Sequence, residues 1–572
     1  MAGCLILFAF AGEAKSGVNV LDDSLKSKVM QKSAVSDEDL RLYKEIFAAI
    51  RNNKIKEAED LQKKLKSDVL KGHILAQKYL SREYKSSYKE LMAWQKKYPS
   101  LPQYEVIKNL AKTKAPGYKP PKPSQKKKGI YAPYKWYREK YEKLTPADRK
   151  FVRDNLDVFL SSIRRTDNKK ALEVMQNERF RKTIPDKNYD EMSATLAASY
   201  FYDGEYEKAL QQIEKAVRRS KEPTAAWFGG LSAWKLGNYQ KAASMFEKLF
   251  SFHDEDLWLH SAAGYWAYRA NLKLGKKEQA EKYLKKTAEY KRTFYGILAN
   301  AQLREIPSYD WEEKAFFNDL QKQLYHQEIL SSTVMRRAVL LLMLGENDLA
   351  EADLRKNYNS LNLKQKELAM FLSSQYSLAN LSFIIANGLK NYGKKRFYDA
   401  FLYPYPDWKP QSGWKINRSW VWALVRQESL FSPKVKSHAG ACGLMQIMPA
   451  TAAGVTKDKK YKEGCKLLLD KKRNLQIGQD YVDILLNKED KIGDNLFFLA
   501  ASYNGGPHNV RKWIARENYD NDPLMFVEMI PWRETRLYVK KVVANYWIYN
   551  ARRGKKSQSL KQLIKGKWPR LD

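Results

Sequence analysis

Ser419-Trp-Val-Trp-Ala-Leu-Val-Arg-Gln-Glu428-Ser429 puts a carboxylate where an apolar residue is expected. The spacing predicts a helix, with Ser419 as its N-cap. Val421, Leu424, Val425 and Glu428 then share one face. Burial against apolar neighbours disfavours the ionised form and raises the pKa of Glu428. Its place near the helix C-terminus acts in the same direction, because the dipole there opposes negative charge. Both effects favour a neutral acid that can donate a proton near neutral pH. An ion pair with Arg426 or Lys434 is the plainer alternative.

Three later segments carry further polar groups. His438-Ala-Gly-Ala-Cys442-Gly443-Leu444-Met445-Gln446-Ile-Met448-Pro449 is a glycine-containing loop running into a helix start. Gly440 and Gly443 allow close backbone approach, and Gln446 offers both a donor and an acceptor. Pro449 suits the first position of the next helix. Phe497-Phe-Leu-Ala-Ala-Ser-Tyr503-Asn504-Gly505-Gly506-Pro507 reads as a buried helix stopped sharply by Gly-Gly-Pro. Tyr503 and Asn504 would project from its fixed end. Met529-Ile-Pro531-Trp-Arg-Glu534-Thr-Arg-Leu-Tyr538 opens a long helix running to about Asn550. Glu534 and Tyr538 are four residues apart and share a face. Glu534 is equally suited to the helix dipole in the first turn. Taken singly, each segment also reads as ordinary helix and turn.

Upstream, Phe397 to Trp414 is rich in proline and aromatic residues and reads as an extended, well-packed linker between domains. Before it a pattern recurs. DGEYEKAL begins at Asp203, LGNYQKAA at Leu236, LGKKEQAE at Leu274 and LGENDLAE at Leu344. The glycines, Gly204, Gly237, Gly275 and Gly345, lie 33, 38 and 70 residues apart, the last being twice 35. A period near 34, with Gly in the turn and Ala in the next helix, resembles the tetratricopeptide helix-turn-helix unit. Stacking of such units predicts a curved helical array; an irregular helical array without true repeats is the alternative. Residues 36–110 also read as helices. The run Lys114–Gly129, KAPGYKPPKPSQKKKG, reads as an exposed basic loop. The expected organisation is a leader over 1–14, a superhelical region over 15–395 carrying the 114–129 loop, a linker over 396–413 and a catalytic region over 414–572.

The 572 residues include 103 Lys+Arg against 65 Asp+Glu, a net charge of +38 spread along the whole chain. Such an excess points to a polyanionic partner, either nucleic acid or an anionic cell envelope. No nucleic-acid motif is present. Six scattered histidines and no Cys-x-x-Cys pair give no metal site, and no cofactor is expected. The apolar run from Cys4 to Ala11 is too short to span a bilayer. It reads as the core of an export signal with Ala9-Phe10-Ala11 as cleavage site; lipid anchoring through Cys4 and a buried N-terminal segment are the alternatives.

In this order and spacing, Glu428-Ser429, Gly443-Leu-Met-Gln446, Ala501-Ser-Tyr503-Asn504 and Ile530-Pro531 with Glu534-Thr-Arg and Tyr538 resemble the soluble lytic transglycosylases. These are the goose-type-lysozyme-like branch of the lysozyme superfamily. Residues 405–550 carry the match, and Ser502 stands where many members have Ala. The helical array looks like the family's superhelical region, and Phe294-Tyr295-Gly296 resembles a joining element. The resemblance implies a mainly α fold: a helical superhelix followed by a lysozyme-like α domain with a small β part. It implies cleavage of the β-1,4 bond between N-acetylmuramic acid and N-acetylglucosamine, leaving a 1,6-anhydro end, with Glu428 as the single acid/base. No second carboxylate pairs with Glu428 in these motifs, unlike the usual glycosidase. By carry-over, Ser429 orients the glutamate or saccharide. Gly443, Leu444, Met445, Gln446 and Met448 line the groove. Tyr503 supports the acetamido group and the glutamate, Glu534 polarises that acetamide or holds a sugar, and Asn504 and Tyr538 also bind substrate. A hydrolysing muramidase and a non-catalytic glycan-binding scaffold are the rival functions. Peptidoglycan and the anionic envelope are the expected partners, the periplasm the location and a monomer the state. In that oxidising compartment Cys442 and Cys465 either form a disulfide, contributing about 3 kcal/mol, or remain separate buried thiols.

Overall fold

A computed structural model describes residues 21–118, 144–219, 221–252, 256–311, 319–389, 398–489 and 491–572. The expected leader, with Cys4, and most of the Lys114–Gly129 loop lie outside them. The described residues are mainly α-helical. Only isolated β-bridges occur among them, at Lys436–Cys442, Cys442–Ile447 and Asn495–Arg570. The small β part is thus reduced to contacts around one loop. Gly440 and Gly443, at φ of 92° and 75°, turn the chain before a ladder can extend.

The repeat pattern becomes a stack of helix pairs. Asp186–Tyr202 turns into Tyr206–Arg219, Pro223–Lys235 into Tyr239–Ser251, Leu257–Lys273 into Lys277–Ala288, and Thr333–Met343 into Asn347–Lys356. Each turn holds one of the four glycines at φ between 70° and 82°, the left-handed region that L side chains avoid. Five residues later, Ala209, Ala242, Ala280 and Ala350 are all buried. A methyl group there lets the second helix of each pair close onto the first.

The array returns on itself. Asp23–Lys32 packs against Asp319–Ser331 and Thr333–Met343. Arg51 pairs with Glu346, and fully buried His73 faces Asp353, itself bridged by Arg337 at 2.5 Å. The C-terminal helices sit against this array on two sides. On one side buried Glu528 receives Lys540 Nζ at 2.9 Å and the Tyr295 hydroxyl at 2.6 Å, and Trp266 Nε1 donates to that hydroxyl at 3.0 Å. On the other, Lys434 pairs with Asp348 at 2.6 Å. A buried ion pair satisfied by extra hydrogen bonds fixes register more than it adds stability.

Between the two parts, Asp399–Leu402 is a single helical turn rather than extended chain. It is clamped: Arg292 binds Asp399 at 2.5 and 2.7 Å, Arg426 Nε donates to Leu402 O at 2.9 Å, and Tyr549 donates to Pro404 O at 3.1 Å. No helix among the described residues is long and apolar enough to cross a membrane.

Candidate active site

Glu428 is the last residue of the Arg418–Glu428 helix. Asn417, not Ser419, caps that helix: its side chain accepts from Ser419 N at 2.9 Å. Ser419 is the second residue of the helix and fully buried, so the cap lies two residues earlier than its composition suggests. Val421, Leu424 and Val425 are fully buried on the same helix. Neither expected cation reaches Glu428. Arg426 turns to Leu402 O and Asn545, and Lys434 turns to Asp348.

The carboxyl is partly exposed but closely surrounded by protein. Burial pushes its pKa up to about 7; the Tyr538 hydrogen bond opposes this and the charge of Glu534 adds to it. Tyr538 O–H donates to Glu428 Oε1 at 2.5 Å. Burial, with Glu428 nearby, holds the hydroxyls of Tyr538 and Tyr503 well above their ordinary pKa, so both remain neutral donors. Tyr503 donates to Met445 O at 2.8 Å, and the Tyr481 ring packs against its ring at a tilt, 5.5 Å between centroids. One helix end, two phenols and one loop carbonyl therefore converge on a protonatable carboxyl.

The loop from Cys442 to Met448 is held from below. Asn474, buried on the Lys471–Asn487 helix, donates to Cys442 O and Leu468 O at 2.9 and 2.8 Å and accepts from Met445 N at 2.8 Å. Gly478, four residues on, leaves room for the Met445 side chain. Cys442 and Cys465 are joined by a disulfide with Cα atoms 5.6 Å apart. Leu444 and Met445 are fully buried, which corrects the expectation that they line the groove: their side chains fill the core, and Met445 serves through its carbonyl. Gly443 is likewise packed beneath the surface, against Leu468 O and Asn474. Gln446 spends its amide N–H on Gly443 O at 2.8 Å and Val435 O at 3.3 Å. Ser429 donates back to Val425 O at 3.2 Å, not to Glu428. Met448 is exposed. Asn504 accepts from Thr535 Oγ1 at 2.6 Å, tying two helix ends together. Glu534 is exposed and acts on Glu428 through its charge.

Asn474, Tyr481, Thr535 and Asn380 were not among the expected site residues. Asn474 and Gly478, four apart on one helical face, are the only local sign of a close approach there. Asn380, from the helical array, donates to Leu430 O at 2.6 Å. It thereby holds a turn in which Leu430 and Phe431 both have positive φ, 48° and 64°, immediately after Glu428-Ser429.

Residues 408–526 match the transglycosylase SLT domain family. In this segment the chain is similar to the soluble lytic transglycosylases. The soluble lytic murein transglycosylase of Escherichia coli strain K12 is 31% identical over 284 residues, 49% of this chain and 42% of that protein. A putative soluble lytic murein transglycosylase of Haemophilus influenzae is 27% identical over 47% of this chain and 44% of its own length. The match thus spans less than half of these curated relatives. Among solved structures, the 70 kDa soluble lytic transglycosylase of E. coli aligns with TM-score 0.65 at 19% identity, covering 94% of this chain and all of that one. An inactive mutant of lytic transglycosylase Slt from Pseudomonas aeruginosa, a glutamate-to-glutamine change, aligns with TM-score 0.51 at 18% identity over 90% of this chain and 77% of that one.

Removal of the Tyr538 hydroxyl has a signed consequence. Its hydrogen bond favours the carboxylate, so Tyr538→Phe raises the pKa of Glu428 further. The acid then stays protonated to higher pH, and the alkaline limb of the rate profile moves up. The rate itself falls about tenfold or more, because the carboxyl loses its orienting donor. A pH–rate profile of both proteins checks this, and an alkaline limb that moves down contradicts it.

Proposed function

We propose that this protein cleaves peptidoglycan glycan strands between N-acetylmuramic acid and N-acetylglucosamine, leaving a 1,6-anhydromuramyl end. The observation that carries this reading is the Glu428 carboxyl at the end of an apolar helix, bound by the Tyr538 hydroxyl at 2.5 Å and with its pKa pushed by burial up to about 7. Glu428 O–H protonates the glycosidic oxygen as the C1–O bond breaks, and the substrate's acetamido oxygen closes on C1. Glu428, now a carboxylate, takes the proton from the muramyl 6-hydroxyl, whose oxygen displaces the acetamido oxygen from C1. The acid is restored and no water is consumed. Tyr503, Asn504, Glu534, Met448 and Gln446 bind the sugars around it, with Ser429 at the base of the cleft. In the related P. aeruginosa structure a glutamate-to-glutamine change marks an inactive mutant, as expected of a single acid/base.

Residues 414–572 act as the catalytic region and 15–395 as a superhelical platform, in a monomer working in the periplasm. Mass spectrometry of the released muropeptides is the test. Products lighter than the reducing forms by one water support the transglycosylase reading, and reducing ends point to a hydrolysing muramidase. The net charge of +38 adds an ionic component to sacculus binding. Pull-down of the full chain with purified sacculi should weaken steeply as salt rises. Retention unchanged at high salt would remove the anionic envelope as a partner of the basic surface.

A further inference from the structure

The four residues that follow Glu428 form a turn that their side chains do not favour. Ser429 N donates to Val425 O at 3.1 Å and closes the helix, and Ser432 N donates to Ser429 O at 3.0 Å. Leu430 and Phe431 are the two central residues of that turn, at φ of 48° and 64°. Positive φ at both centres is the type I′ pattern, which Asn and Gly adopt readily and bulky residues resist. Phe431 is anchored: it is fully buried, with its ring centroid 6.0 Å from that of Trp422. Leu430 is 41% exposed, so packing does little to hold its backbone. Its carbonyl instead accepts from Asn380 Nδ2 at 2.6 Å. Asn380 belongs to the array, as the second residue of the Ala379–Leu389 helix, and is buried. Arg355 Nη2 donates to Asn380 Oδ1 at 2.6 Å and to Glu351 at 2.6 Å. A guanidinium can only donate, so it fixes which end of the Asn380 amide faces Leu430. A strained backbone persists only where its surroundings over-determine it.

We propose that Asn380, oriented by Arg355, is a positioning residue for the glycan cut: it holds the left-handed turn that fixes where the Glu428 carboxyl points. The proposal rests on the glycan-cleaving reading above and gives the helical array a part in the rate of the cut. Glu428 is the last residue of its helix, two residues before Leu430, and its carboxyl must stay within reach of the Tyr538 hydroxyl, 2.5 Å away. Loss of the Asn380 bond lets Leu430 relax to negative φ. That rotates the peptide planes beside Glu428 and draws the helix end away from Tyr538. Asn380 thus acts through the backbone.

The test measures kcat and apparent KM of the full chain on purified sacculi. Asn380→Ala should lower kcat about tenfold, the loss of one buried hydrogen bond at the site, with apparent KM within about twofold of wild type. Asn380→Asp keeps the size and the Arg355 contact but loses the donor, and should lose as much. Leu430→Gly removes the side chain that resists positive φ, so added to Asn380→Ala it should restore kcat at least about threefold. In a Tyr538→Phe background, Asn380→Ala should cost less than about twofold, because the contact it positions is already gone. A general loss of packing would not be rescued by glycine and would add to Tyr538→Phe in full. If Asn380→Ala does not fold, Asn380→Asp carries the same comparisons. Wild-type kcat in the Asn380 variants, or a loss indifferent to Leu430→Gly, overturns the proposal and leaves the catalytic reading intact. A wild-type chain that releases no anhydro product defeats the catalytic reading, and the proposal with it.

Discussion

Glu428→Gln should yield a folded protein that no longer releases muropeptides from sacculi, with a rate at least about a thousandfold below wild type. Glutamine keeps the shape of the side chain and can still accept from Tyr538, so the site geometry survives. Its amide cannot give up a proton to a glycosidic oxygen. The same change should alter stability in a pH-dependent way. At about pH 4 the carboxyl is protonated in both folded and unfolded chains and carries no penalty. As pH rises past its ordinary value of 4.5, the unfolded chain releases its proton first, while the folded site holds it until about 7. The unfolded state is therefore favoured over this window, and the penalty is complete above it. A shift of this size corresponds to about 3 kcal/mol at most. Partial exposure of the carboxyl reduces it to on the order of 1–2 kcal/mol. Glu428→Gln should then melt higher than wild type at about pH 8 and equally at about pH 4. Equal melting at both pH values would show that the folded site does not hold the proton, and residual lysis at the wild-type rate would remove Glu428 from the chemistry.

Much of this arrangement is visible in local sequence. Four glycines at regular spacing, each followed after five residues by alanine, encode tight turns and close helix pairs, and both features appear in the structure. The carboxylate on an apolar stripe signals a perturbed acid, because helical periodicity alone places Glu428 beside Val421, Leu424 and Val425. What local sequence lacks is the partner of each group. The donor to Glu428 lies 110 residues away in Tyr538. The return of the array on itself depends on His73 meeting Asp353, and the turn after the acid depends on Asn380. No periodicity records such pairings. The expected groove residues Leu444 and Met445 fail for a related reason: a loop motif shows which residues recur together, not which way each side chain points.

Gly443→Ala should be more damaging than any other single methyl addition in the loop. An added Cβ would lie 2.3 Å from Leu468 O and 2.4 Å from Asn474 Nδ2, and φ is 75°. The obstacles are a backbone carbonyl and the amide that holds the loop, so neither can step aside cheaply. If Asn474 moves, it releases Cys442 O, Leu468 O and Met445 N together, and Met445 O shifts away from the Tyr503 hydroxyl. The loss should be about 3–4 kcal/mol, combining steric overlap, left-handed strain and broken buried hydrogen bonds. Gly440→Ala is the matched control: φ is 92° there, yet nothing lies within 4 Å of the added carbon. It should cost only the backbone strain, about 1–2 kcal/mol. Denaturant melts of both variants beside wild type separate the two contributions. Activity measured where both remain folded should fall with Gly443→Ala and persist with Gly440→Ala, because only the first displaces the carbonyl that positions Tyr503. Equal losses in the two variants would mean that the loop yields as a whole and that Asn474 does not anchor it.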